Sequence, residues 1–183
     1  MSRSPETAPA AAHPHAWFDA ARFGLFVHFG LYSIAARHEW SMTWERRSDE
    51  DYRRYAEFFE PDRFDARLIA RTARQAGMRY AVLTTKHHEG FSLFDSALSD
   101  YSSVTACGRD LVREFVEAMR EEGLRVGFYH SLIDWHHPDF PIDRIHPLRD
   151  REDVATLNAT RDPARYRAHL HGQVRELLTN YGQ

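Results

Sequence analysis

One pattern occurs twice in this chain and limits the folds open to it. A helical stretch ends at a glycine, a short strand follows, and polar side chains come next. In the first copy Leu68, Ile69, Thr72, Ala73 and Ala76 recur at helical spacing, with Asp65 placed to cap the helix and Gly77 to close it. The strand Tyr80-Ala81-Val82-Leu83 runs into Lys86-His87-His88-Glu89-Gly90. In the second copy Asp110 caps, Leu111, Val112, Phe115, Val116 and Met119 form the stripe, and Gly123 closes. The strand over 124–129 then runs into Tyr129-His130-Ser131. Successive units of this kind predict an α/β fold with a parallel sheet. Such a sheet carries its chemistry at the carboxyl ends of its strands, so the cluster Lys86–Glu89 is a candidate site. An exposed polar loop tip is the competing reading of that cluster.

The remaining segments fit the same plan. Residues 23–30 are nearly all apolar, as a strand covered on both faces should be, and His28 stands at the carboxyl end. His28 alone could equally be a satisfied core residue. A loop over 31–47 holds His38-Glu39-Trp40 and Trp44. A helix near 49–59 puts Tyr52, Tyr55 and Phe59 on one face, and Pro61 stops it. A long loop over 132–162 contains Asp134-Trp135-His136-His137-Pro138-Asp139; loops of this length at this end of an α/β unit are usually functional. Asp134 and Trp135 either shape the mouth of a site or form a structural turn. The last helix, over 163–181, shows Tyr166, Leu170, Val174, Leu177, Leu178 and Tyr181 on its apolar face. A strand is due next, and the sequence stops at Gln183.

Composition narrows the function classes. The 183 residues suit one domain, and a hydrophobic share of 43% can build a core. A net charge of −3 with neutral histidines, and no run of Lys or Arg, gives no footprint for nucleic acid or a charged membrane surface. Residues 1–15, rich in Pro, Ala and Ser, read as a disordered leader without the apolar core of a signal peptide, so a cytoplasmic location is expected. No stretch approaches the roughly 18 apolar residues of a membrane span. The single Cys107 cannot form an internal disulfide.

With these stretches assembled, the chain resembles the first half of the catalytic domain of the family 29 glycoside hydrolases, the α-L-fucosidases. The resemblance is carried by Trp17, by Arg22-Phe23-Gly24-Leu25-Phe26-Val27-His28-Phe29-Gly30 and by Glu39-Trp40. It continues through Gln75-Ala76-Gly77-Met78-Arg79-Tyr80 and Thr85-Lys86-His87-His88-Glu89-Gly90-Phe91. Gly108-Arg109-Asp110, Gly127-Phe128-Tyr129-His130-Ser131 and Asp134-Trp135 complete it. It implies a partial (β/α)8 TIM-like barrel, the first three to four βα units only, over 16–183. It implies an enzyme that removes terminal α-L-fucose from glycans with retention of configuration. The partner implied is a fucosylated glycan or a small α-L-fucoside, with no cofactor and no metal. His28, Glu39, Trp40, His87, His88 and Tyr129 match the family's fucose-binding positions. Imidazoles suit vicinal hydroxyls because each offers a donor and an acceptor.

Two departures accompany the resemblance. Phe29 stands where many relatives carry Trp. The family's nucleophile, an Asp in a Trp-x-Asp-Gly-like segment after the fourth strand, has no counterpart, and Trp17-Phe18-Asp19 precedes the first strand and is not assigned that role. A retaining glycosidase needs two carboxyl groups about 5–5.5 Å apart. Glu39 is then a sugar-binding residue first and an acid/base candidate second, while Glu89 reads as structural, orienting a histidine. The expectation is a fragment of a fucosidase with exposed sheet edges and no hydrolytic activity by itself. A non-catalytic fucose-binding protein is the alternative. A metal-dependent hydrolase using His87, His88, His136, His137, Asp134 and Asp139 is a weaker one, because adjacent histidines seldom bind one ion together.

Overall fold

The computed structural model describes residues 13–182. The leader expected over 1–15 lies outside the described residues except for its last three. Helix α1, Ala16–Ala21, comes first and was not anticipated. Its Trp17 and Phe18 pack on the Tyr80 ring at 6.1 and 5.4 Å, and the Arg125 guanidinium lies over Trp17. The helix thus covers the amino-terminal end of the sheet.

Strand β1, Gly24–Val27, is shorter than the expected 23–30, because the chain turns at Gly30 into the one-turn helix α2, Tyr32–Ala35. The loop expected over 31–47 also contains α3, Ser41–Trp44. The helix expected over 49–59 is α4, Asp49–Arg53, continued as a 3-10 turn, Arg54–Phe58; Ser48 caps it and Tyr52 and Phe59 are buried. Helix α5, Ala66–Gln75, is capped by Asp65, which accepts from the Leu68 N–H at 2.9 Å. Its buried face is Ala66, Ala70 and Ala73, whereas Leu68, expected in the stripe, is 55% exposed. Small side chains on the inner face let the helix backbone approach its neighbours closely.

Strand β2, Tyr80–Lys86, pairs in parallel with β1 from Gly24↔Tyr80 to Val27↔Leu83. A short unanticipated helix, α6, Ser103–Cys107, precedes α7, Leu111–Glu121. All five apolar residues expected on α7 are buried, and Asp110 accepts from the Arg113 N–H. Arg109 braces this corner, donating to Glu114 and to the carbonyls of Pro61 and Phe64. Strand β3, Arg125–His130, is also parallel to β2, giving the order β1-β2-β3. The register shifts between Thr84 and Lys86, an irregularity of the kind that re-aims side chains at a strand end.

The long loop after β3 holds α8, Val154–Ala159, before α9, Pro163–Asn180. On α9 Tyr166, Gln173 and Leu177 are buried. Leu178, expected on the same apolar face, is exposed and borders a groove of about 610 Å³ between α9 and the free edge of β3. Among the described residues both outer strands are paired on one side only, and Phe26 on β1 is 53% exposed. Among the described residues no helix is long and apolar enough to cross a membrane.

The turn closing β2 allows one side chain fewer than its neighbours. Gly90 has φ +86°, and a Cβ there would stand 2.5 Å from Asp134 Oδ1 and 2.7 Å from His136 Cβ. Gly77 has φ +87° but open space around it. Gly77→Ala should therefore cost only backbone strain, about 1–2 kcal/mol. Gly90→Ala should cost more, about 3 kcal/mol or above, since a buried carboxylate must also move. Urea unfolding of both variants checks the order, and equal losses would contradict it.

Candidate functional site

The carboxyl end of β2 is fixed by a buried ion pair. Lys86 Nζ donates to Asp134 Oδ2 at 2.8 Å, with both side chains nearly inaccessible. The other oxygen, Oδ1, accepts from the backbone N–H of His136 and His137. Burial raises the Asp134 pKa, but the adjacent Lys86 and these N–H groups outweigh it and leave the carboxyl below its ordinary value. Trp135 is buried beside this pair, and its backbone N–H donates to the His88 carbonyl at 2.7 Å.

Past Lys86 the chain makes a tight turn, closed by the Gly90 N–H donating to the His87 carbonyl. The turn sets the two imidazoles side by side, with ring centroids 4.0 Å apart. His87 then faces His28 at 5.0 Å and Tyr129 at 6.0 Å. His88 faces Trp40 at 4.9 Å, edge to face, and Trp135 at 5.2 Å. Five of the six residues expected in the site, His28, Trp40, His87, His88 and Tyr129, thus form one contiguous cluster. They arrive from the ends of three neighbouring strands and from α3's N-terminal flank.

Glu39 is the sixth. It is partly exposed, 3.5 Å from His38 Nδ1, and close enough for its charge to act on His28 and Tyr32. Glu89 is sealed in beneath the cluster at 1% exposure. His87 Nδ1 lies 3.5 Å from Oε2, and neither carboxylate oxygen has a hydrogen-bond partner among the described residues. The carboxylate expected to orient a histidine thus lies beside His87 without a hydrogen bond to it.

Two participants escaped the sequence reading. Tyr32 is buried, and its hydroxyl hydrogen-bonds His28 Nδ1. Burial first, then the charge of Glu89, keeps that phenol protonated. Ser131 is buried, and its hydroxyl meets His88 Nδ1 at 2.7 Å. A Tyr four residues past His28 and a Ser two past Tyr129 carry no signal of their own. His130, between Tyr129 and Ser131, turns away from the cluster and meets Thr85 Oγ1 through Nδ1 at 3.0 Å.

The cluster suits neutral polar recognition. Burial, then the neighbouring His87 and Lys86, holds the His88 pKa down to about 3. Burial raises Tyr129, with Glu89 adding to the effect. Neutral imidazoles, phenols and an indole offer hydrogen bonds and an apolar face without a net charge. Among the described residues no three His, Cys, Asp or Glu side chains are grouped as ligands of a metal ion.

Several buried histidines share this condition. Burial and Lys86 hold His130 at about 3, and burial with Arg161 holds His146 at about 4. These groups take up protons on unfolding once the pH drops below the unfolded value of 6.5. Folding stability should be full above that pH and fall as it is lowered toward 4. With more than one proton involved, the slope between about pH 6 and 4.5 should exceed about 1.4 kcal/mol per pH unit. Urea midpoints across this range test it, and a flat profile would contradict it.

Comparison with known proteins points the same way as the geometry. The family model described as alpha-L-fucosidase matches residues 3–183. Rat tissue alpha-L-fucosidase is 37% identical over 163 residues, covering 76% of this chain and 34% of its own length. The structure of alpha-L-fucosidase isoenzyme 1 from Paenibacillus thiaminolyticus superposes with a TM-score of 0.89 at 53% identity, over 92% of this chain and 40% of that one. Alpha-L-fucosidase AlfC from Lactobacillus casei, in complex with alpha-L-fucose product, superposes with a TM-score of 0.80 at 30% identity, over 92% of this chain and 59% of that one. The chain thus spans about a third of the length of the curated relatives it matches. On sequence and structure together, it belongs to the alpha-L-fucosidase family.

Proposed function

We propose that residues 16–183 form the fucose-gripping first half of an alpha-L-fucosidase catalytic domain built as a (β/α)8-type barrel. The observation that carries this reading is the convergence of His28, Trp40, His87, His88 and Tyr129 at the carboxyl ends of three parallel strands. Ligands in barrels of parallel strands bind at that end. The fit to a deoxyhexose is chemical. Neutral imidazoles and a phenol pair with hydroxyls, and the Trp40 indole covers an apolar sugar face and methyl group. The Lactobacillus casei relative, whose structure holds alpha-L-fucose, supports a fucoside as the substrate.

Hydrolysis with retention needs two carboxyl groups on opposite sides of the glycosidic bond. Glu39 is the partly exposed carboxylate beside the cluster, while Glu89 and Asp134 are buried. No Trp-x-Asp-Gly segment occurs in these 183 residues. The 183 residues thus bind fucose, and the whole enzyme supplies the nucleophile from outside them.

Addition of α-L-fucose should shift the ring resonances of His87 and His88 and quench or move the Trp40 emission. Trp40→Ala should weaken binding by about tenfold or more, the loss expected on removing an aromatic contact. An aryl α-L-fucoside should show no turnover above background. Unmoved histidine rings at saturating fucose would refute the binding role, and clear turnover would refute the division of labour.

A further inference from the structure

What an imidazole offers a ligand depends on which ring nitrogen holds the proton, and for His88 the surrounding bonds decide it. Its Nδ1 lies 2.7 Å from Ser131 Oγ. Ile133 approaches that oxygen twice, with its carbonyl oxygen at 2.8 Å and its backbone N–H at 2.9 Å, and the Tyr129 side chain also acts on it. A serine hydroxyl has one hydrogen and two lone pairs. The Ile133 carbonyl can only accept, so it takes the hydrogen. The Ile133 N–H can only donate, so it occupies one lone pair. The second lone pair faces His88, whose Nδ1 at 2.7 Å satisfies it when it carries a proton.

The other tautomer fails on the same count. If Nδ1 were bare, the single Ser131 hydrogen would have to serve both Nδ1 and the Ile133 carbonyl. One of them would face an oxygen lone pair at hydrogen-bond distance. Ser131 is 2% exposed, so such an unmade bond would cost about 1–3 kcal/mol. A hydroxyl rotated toward Nδ1 would leave the Ile133 carbonyl, 2.8 Å from Oγ, without a hydrogen.

We propose that Ser131 is a positioning residue that locks His88 as the neutral Nδ1–H tautomer, leaving an Nε2 that can only accept a hydrogen bond. Nε2 has no protein partner among the described residues, and it is not among the buried polar atoms sealed from solvent. The low pKa of His88 agrees, since a ring that stays neutral keeps that lone pair. The consequence for ligands rests on the fucose-site reading above. The group seated on His88 must be a donor, which a sugar hydroxyl is and a carboxylate or phosphate is not. The lock therefore selects a neutral sugar over an acidic one at this position.

Long-range ¹H–¹⁵N spectra of the histidine-labelled chain test this directly. In the unaltered chain at neutral pH, His88 Nδ1 should have a pyrrole-type shift and Nε2 a pyridine-type shift. Adding α-L-fucose should move Nε2 while leaving it pyridine-type. Ser131→Ala should lose the tautomer preference and bind α-L-fucose up to about tenfold more weakly. Ser131→Thr, which keeps the hydroxyl, should retain both. A pyridine-type Nδ1 in the unaltered chain overturns the lock whether or not fucose binds, so failure of Ser131→Ala to fold does not shield it. A Nδ1–H ring that persists unchanged in folded Ser131→Ala removes Ser131 from the role. If the tautomer is as stated but α-L-fucose moves neither nitrogen, the lock stands and the fucose site falls.

Discussion

The carboxyl end of the sheet is held in place by one charge pair that water does not reach. Lys86 leaves the last position of β2 and Asp134 comes from the loop after β3. Neither charge could be buried alone, since removing one partner of such a pair typically costs about 3–5 kcal/mol. Asp134 does more than neutralise Lys86. Its second oxygen collects the N–H groups of His136 and His137, which fixes the loop, and it occupies the space a side chain at Gly90 would need. The turn carrying His87 and His88 is thereby set against the segment carrying Ser131 and Trp135. The geometry of the sugar-facing side chains follows from an interaction that touches no sugar.

Above that pair the charges give way to neutral groups. His88 is kept uncharged by burial and by Lys86, and the phenols of Tyr32 and Tyr129 are kept protonated. Burial is the main cause that keeps Tyr32, Tyr52, Tyr101 and Tyr129 protonated, and Glu89, with both oxygens buried underneath, adds to it. A sealed carboxylate under a layer of imidazoles and phenols favours protons remaining on the groups above it. That is the electrostatic condition for reading hydroxyls, where each contact is a hydrogen bond of defined direction and no ion is exchanged.

Much of the frame was legible because it is written in local chemistry. Asp65 and Asp110 cap their helices through backbone N–H groups three residues on, a bond that sequence spacing alone announces. The five apolar residues of α7 face the core as their period requires. The misses have physical reasons too. Leu68 and Leu178 carry hydrophobic side chains at helical spacing, yet both are exposed, since spacing places a residue on a face without saying what packs against it. Helices α2, α3, α6 and α8 have six residues or fewer, too few turns to show a period. In the site, the histidine pair stood out as a cluster of ionisable groups. The grouping with His28, Trp40 and Tyr129 came from the family resemblance, because no local pattern links residues so far apart. Tyr32 was singled out by neither, and Ser131 stood in a block carrying the resemblance without a role, since each acts through one side-chain hydrogen bond that no spacing announces.

The account rests on five side chains, from three strand ends and one loop, forming one surface for a deoxyhexose. A crystal structure of the chain soaked with α-L-fucose examines that most directly. It should show the pyranose against the Trp40 ring, with its hydroxyls bonded to His28, His87 and His88 and one of them donating to His88 Nε2. Sugar density lying away from this cluster, or a bound pyranose with His28 and His88 on opposite faces of the molecule, would contradict it.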